Sequence, residues 1–232
     1  MKAALEIKGL HKRFPGVWAL RGIDITLDAG RVMGLVGPNG SGKTTLLSIL
    51  MGHKKPTKGE VRIFGMKPGK RVREITSYVP EIDHLYGWMT VKEMADFTAG
   101  FYRSWNPSKF RELLEFMDLN PSFKIGNLSR GMRARLKLSL ALAADPKLLL
   151  LDEPLSGIDP LSRDKILEAF IKWFQFGEQT VIFSTHIVRE AEKLFDYVVF
   201  LGDGEIILQG EPDELRNRYG RSIEDIMKEV YR

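Results

Sequence analysis

The octapeptide GPNGSGKT, Gly37 to Thr44, constrains this chain more than any other stretch. It follows RVMGLV, an apolar run without polar alternation that suits a strand buried on both faces of a sheet, and it precedes TLLSIL, which reads as a helix ended by Gly52. Strand, G-x-x-x-x-G-K-[ST] and helix in that order describe a phosphate-binding loop. Gly37, Gly40 and Gly42, spaced by Pro38, Asn39 and Ser41, let backbone N–H groups turn inward around phosphate oxygens, and the helix N-terminus adds a favourable dipole. Lys43 is expected to reach the β and γ phosphates, and the hydroxyl of Thr44, with Thr45 behind it, to bind Mg²⁺. ATP or GTP is the expected ligand.

A second apolar run, LLLLDEP (Leu148 to Pro154), delivers Asp152 and Glu153 at a strand end, where open α/β sheets bind ligands. Asp152 is expected to hold Mg²⁺ through water. Glu153 has no cation in its immediate sequence, and a carboxylate beside a metal-bound phosphate can polarise an attacking water as general base. TVIFSTH then brings His186 to the same edge, where a neutral imidazole can bond a γ-phosphate oxygen or the water. A His at a strand end taken alone is more often structural; its company gives it a role.

The periodicity orders the rest. Residues 3–8 and 22–27 alternate as half-exposed strands, GEVRIFGM and ITSYVPE are further strands, and KPGKRVRE between them reads as a solvated loop. Helical spacing governs Thr90 to Ala144, with Asn106 as an N-cap before Pro107. Helices near 160–175 and 187–195 and a hairpin through Gly202, Asp203 and Gly204 follow. This divides a single domain into an α/β core (1–83 and 145–210), an inserted helical lobe (84–144) and a short helical tail (211–232).

At 232 residues, 44% hydrophobic and 28% charged, the composition is that of a globular chain. It has no cysteine, which excludes disulfide-stapled folds and thiolate metal sites and favours a reducing compartment. The start lacks a signal-peptide pattern, and no stretch approaches the roughly 18 apolar residues of a membrane span. A net charge of +5 is spread along the chain and reads as solvated surface, so no nucleic-acid partner is expected.

NLSRGMRARL, at 127–136, is then puzzling: it opens a second basic helix with the anion-attracting start of Ser129, Arg130 and Gly131, far from the first phosphate loop. In combination, GPNGSGKTT, LSRGM, LLLLDEP, SGIDP (Ser156 to Pro160) and the His of STH resemble the nucleotide-binding subunits of ABC transporters over almost the whole chain. The resemblance implies an α/β P-loop NTPase (RecA-like) core with an N-terminal antiparallel β subdomain and an inserted α-helical subdomain. It further implies that two subunits pack head to tail around two ATP, so that Ser129, Arg130 and Gly131 meet the γ-phosphate held by a partner's loop, with Ser156, Gly157 and Asp159 as the D-loop. Phe14 falls at the position of the aromatic that stacks on adenine, with a core role or Trp18 as alternatives.

Two positions depart from the family. Glu81, in YVPE, stands where most members have Gln, touching Mg²⁺ and the attacking water; a carboxylate there still binds metal but repels the γ-phosphate, so altered metal dependence is expected. Arg130 replaces the first Gly of the signature and Met132 its usual Gln; the arginine either adds a cation near the partner phosphate or points to solvent. Both departures are similar to members serving ABC-2 type exporters. The expected partners are a second, identical or related subunit and a membrane permease, which would hold this subunit on the inner face of the cell membrane. A soluble ATPase acting on nucleic acid or ribosomes lacks support from this single half with its short helical lobe, and a small-molecule kinase leaves the signature and D-loop without a purpose.

Overall fold

Two sheets of different make-up frame the chain in the computed structural model, which describes residues 3–231. The hairpin β1 (Ala3–Phe14) and β2 (Val17–Asp28) leads to β3 (Val32–Val36), α1 (Lys43–Leu50), β4 (Lys58–Ile63), the short α2 (Lys70–Arg73) and β5 (Thr76–Val79). Helices α3 (Val91–Ala99), α4 (Pro107–Phe116) and α5 (Arg130–Ala143) follow. The chain continues through β6 (Leu148–Asp152), α6 (Pro160–Trp173), β7 (Thr180–Thr185), the hairpin β8 (Tyr197–Gly202) and β9 (Glu205–Gly210), and ends in α7 (Pro212–Tyr219) and α8 (Ile223–Val230).

The smaller sheet, in order β2-β1-β4, is antiparallel; the larger runs β5-β6-β7-β3-β8-β9, with β9 alone antiparallel at its edge. Every residue of β3, β6 and β7 is buried, which is why their sequences show no polar alternation. The alternation persists as a choice between two cores. Val32, Val36, Leu149, Leu151, Val181 and Phe183 face the helices α3 to α6, while Met33, Leu35, Leu148, Leu150 and Ile182 face α1 and the small sheet.

Three local expectations are corrected. The first strands are twice as long as the alternation suggested, because register shifts between Ile7 and Leu10 and between Leu10 and Lys12 break the period of two while pairing continues. KPGKRVRE is not all loop: Lys70–Arg73 form one helical turn with Val72 buried beneath it. The stretch 187–195 holds only a 3₁₀ turn, Glu192–Leu194, because the Thr185 hydroxyl accepts from Ile187 N–H (2.9 Å) and bonds its C=O (3.1 Å), tying the backbone back to the strand end. By contrast Asn106 caps α4 as expected, accepting from Lys109 N–H at 2.9 Å.

Candidate nucleotide site

Parallel register brings the functional residues to one sheet edge. Val36 pairs with Thr185, and Asp152 pairs with Ser184, so the loop after β3, the carboxylates after β6 and the residues after β7 leave the sheet side by side. Gly37 N–H donates to Thr185 C=O at 3.3 Å, and the loop turns back through Ser41 N–H to Pro38 C=O before entering α1. A cavity of about 260 Å³ on this loop brings Glu81 and Glu153 to Lys43, Thr44 and Thr45, with Ala19 of β2 as a wall.

Lys43 is buried and folded back: its ammonium donates to the C=O groups of Gly37 (2.6 Å) and Pro38 (3.1 Å) and lies 3.1 Å from Glu153 Oε1. Glu153 therefore does have a cation, supplied from 110 positions away rather than by its neighbours. Its second oxygen, Oε2, lies 2.8 Å from His186 Nδ1 and accepts from His186 N–H at 3.3 Å. A carboxylate only accepts, so in this contact Nδ1 carries the proton; Nε2 of the neutral ring can accept from a water, and donates to a phosphate oxygen only when the ring is protonated. The Glu153 backbone sits in the left-handed region at φ 49°, held there by N–H bonds to Ser184 C=O (3.2 Å) and Ser184 Oγ (3.1 Å).

Asp152, 1% exposed, collects three hydroxyls: Ser184 Oγ at 2.7 Å, Tyr78 Oη at 3.0 Å and Thr44 Oγ1 at 3.2 Å. Burial, and then the Asp152 charge, push the Tyr78 phenol well above its ordinary range, so it stays protonated and donates. Tyr78 and Ser184 were missed by sequence reasoning: each sits within a strand with no motif to mark it, and only the cross-strand register aims them at Asp152.

The signature residues lie elsewhere. Ser129 is exposed and caps α5, accepting from Met132 N–H at 3.2 Å. Neither it nor Gly131 lines the cavity on the phosphate loop. At Gly131 a Cβ would stand 2.3 Å from Ser162 Oγ and 2.5 Å from Asp159 Oδ2, so glycine lets α5 touch the start of α6 without displacing either side chain. Asp159 caps α6, accepting from Ser162 N–H at 2.9 Å, and the exposed Arg130 lays its guanidinium over Gly157 of the same chain. Arg130 thus rests on the Gly157 turn of its own chain, beside Ser156. Phe14 stands half-buried at the β1–β2 hairpin end, with the ammonium groups of Lys12 and Lys54 at 5.0 and 5.2 Å from its ring centroid. Trp18 packs instead against His11 and under Arg13.

The residues fit a nucleotide with a hard cation. Ser41 Oγ is buried without a hydrogen-bond partner beside Gly37, and Glu153 Oε1 has only the Lys43 ammonium, which phosphate can draw away. Among the described residues no cluster of three or more His, Cys, Asp or Glu could hold a metal alone. One hydroxyl and one carboxylate, Thr44 and Asp152, are the spare oxygen set that suits Mg²⁺ when substrate phosphates complete its shell.

Comparison with known proteins agrees. The family model described as ABC transporter matches residues 20–156. The chain is 36% identical over 224 residues to the uncharacterized ABC transporter ATP-binding protein YxlF of Bacillus subtilis, covering 94% of this chain and 75% of that one. It is 38% identical to the probable multidrug ABC transporter ATP-binding protein YbhF of Escherichia coli over 95% of this chain, although it spans only 40% of that longer protein. To the Nod factor export ATP-binding protein I of a Rhizobium species it is 34% identical, with 92% and 73% covered. Among solved structures, an ATP-binding subunit of an ABC transporter superposes with a TM-score of 0.87 at 27% identity, covering 99% of this chain and 100% of that one. A dimeric cassette in a post-hydrolysis state with ADP and Pi superposes at 0.78 and 26% identity, covering 89% and 98%. The chain belongs to the ABC transporter family, as one of its ATP-hydrolysing subunits.

Proposed function

We propose that this subunit drives an exporter of the ABC-2 type by closing head to tail on a second ATP-binding subunit, with Mg²⁺ at Thr44 and Asp152 and Glu153 as general base. The observation that carries the reading is the arrangement at one sheet edge: Glu153 lies between Lys43 and His186, while Asp152 gathers Thr44, Ser184 and Tyr78. Lys43 and the loop N–H groups bind and orient the phosphates, and Mg²⁺ when bound neutralises developing charge on them. Glu153, freed from Lys43 as that lysine turns to phosphate, takes the proton of the attacking water, and His186 orients it. Ser129 and the start of α5 face outward, as a half-site for a partner's phosphate requires. One relative carries export in its name, the Nod factor protein, which supports the direction of transport; another is named as a probable multidrug transporter subunit.

No helix among the described residues is long and apolar enough to cross a membrane, so the reading needs a separate permease. Its docking surface is the exposed apolar group Ile82, Tyr86, Trp88, Phe97 and Phe101, which runs from the Glu81 loop onto the helical lobe, residues 84–144. Such a patch marks an interaction site. The permease would hold the subunit on the inner face of the membrane.

The test is solution mass. A Glu153→Gln variant with Mg-ATP is expected to shift from monomer to dimer, and Ser129→Arg in the same chain to abolish the shift; a dimer that survives Ser129→Arg removes the composite-site reading. A second expected result concerns the metal. Tyr78→Phe takes one hydrogen bond from Asp152, and loss of such a supporting contact costs about 10-fold or more in metal affinity. The Mg²⁺ concentration for half-maximal ATP hydrolysis should rise accordingly, and an unchanged titration would remove Asp152 from the metal.

A further inference from the structure

The loop that carries Glu81 is gripped by α5. Arg133 and Lys137, four residues apart, share a face of that helix. Arg133 bonds the Asp83 carboxylate and, through Nε, the Leu128 C=O at 3.3 Å. Lys137 Nζ donates to three consecutive carbonyls, Pro80 at 2.7 Å, Glu81 at 3.2 Å and Ile82 at 3.3 Å. An ammonium has three N–H groups, and here all three are taken up by one turn of loop backbone. The half-buried setting lowers the Lys137 pKa, against the pull of the Asp83 and Glu81 charges.

No other side chain meets this geometry. Methionine fills the same stem but leaves three carbonyls unbonded, and the planar fork of arginine cannot converge on three neighbouring oxygens. The contact is also one-directional in what it controls. It touches only the backbone of residues 80–82, leaving the Glu81 side chain free to line the cavity on the phosphate loop. At its other end the same helix begins at Ser129. Lys137 therefore stands between the carboxylate at one ATP and the signature serine that faces another.

We infer that Lys137 is a positioning residue for hydrolysis, acting through Glu81: it fixes the backbone of the Glu81 loop to α5 so that the carboxylate stands at the phosphate loop and moves together with the signature helix. The inference rests on the proposed function and on the role that the family resemblance gives Glu81, at Mg²⁺ and the attacking water.

A double-mutant cycle on the full chain tests it. Lys137→Met is expected to lower kcat for ATP hydrolysis about tenfold with KM for ATP within about twofold, since the phosphate loop is untouched. In a Glu81→Ala background the same substitution should change kcat by less than about twofold, because the residue through which it acts is gone. Lys137→Arg, which keeps the charge without the three-point contact, should recover only part of the loss, and thermal unfolding shows whether each variant is folded. Equal losses in both backgrounds would overturn the inference alone and make Lys137 a merely structural contact. Wild-type turnover in Glu81→Ala itself would overturn the role of Glu81, and the inference with it.

Discussion

Glu153→Gln is expected to lower ATP turnover by roughly 10²–10⁴-fold, the range that a positioned general base contributes, while ATP binding persists. Glutamine keeps the size of the side chain and an oxygen for His186 Nδ1, which lies 2.8 Å from Oε2. It removes the negative charge that Lys43 faces at 3.1 Å, so the lysine no longer has to leave a buried partner when phosphate arrives. Affinity for ATP should therefore hold or tighten as turnover falls. Steady-state phosphate release set beside equilibrium nucleotide binding separates the two effects. Turnover within about tenfold of the parent would remove Glu153 from the general-base role, because a base in contact with the attacking water cannot be lost so cheaply. Parallel loss of binding would instead make Glu153 a structural support for the loop.

Gly37→Ala should abolish most nucleotide affinity in a chain that still folds. A Cβ at this position would stand 2.2 Å from Leu201 C=O and 2.6 Å from Ser41 Oγ. Ser41 can rotate away, but Leu201 cannot retreat: it is fully buried in β8, and its carbonyl also accepts from Tyr231 Oη at 3.1 Å. The loop must then move off the sheet edge. Overpacking of this kind costs about 1–3 kcal/mol, and at its upper end roughly a hundredfold in Kd. The expected signature is a melting temperature within a few degrees of the parent with ATP binding weakened by one to two orders of magnitude. Binding within about twofold of the parent would mean that the loop relaxes without losing its donors.

Much of this was legible before any coordinates. Glycines at fixed spacing and uninterrupted apolar strands depend on local sequence, and β3, β6 and the loop between β3 and α1 follow from them. What escaped depends on register. Tyr78 and Ser184 look like ordinary strand residues until β5, β6 and β7 align and turn both hydroxyls onto Asp152. Glu153 looked free of partners because the Lys43 cation and the His186 ring reach it through the fold rather than along the chain. Gly131 read as a donor to phosphate, and its position equally demands a small residue where α5 meets Ser162 and Asp159. The chain from 187 to 195 was misjudged because one hydroxyl, Thr185, diverts its backbone.

The placement of β3 between β7 and β8 also bears on how the protein is made. Residues 32–44 leave the ribosome early with the whole phosphate loop and Lys43, yet the strand that carries them has no strand partner until residues 180–202 have been synthesised. Pairings across such long sequence separations form late, and until they do an apolar strand stands unpaired. A nascent chain stopped before Thr180 should therefore fail to retain ATP despite displaying the whole loop, and capture should begin only when β7 and β8 close around β3. Nucleotide would then report the closure of the sheet, and its arrival would seal it at the moment the strand most exposed to misassembly is covered.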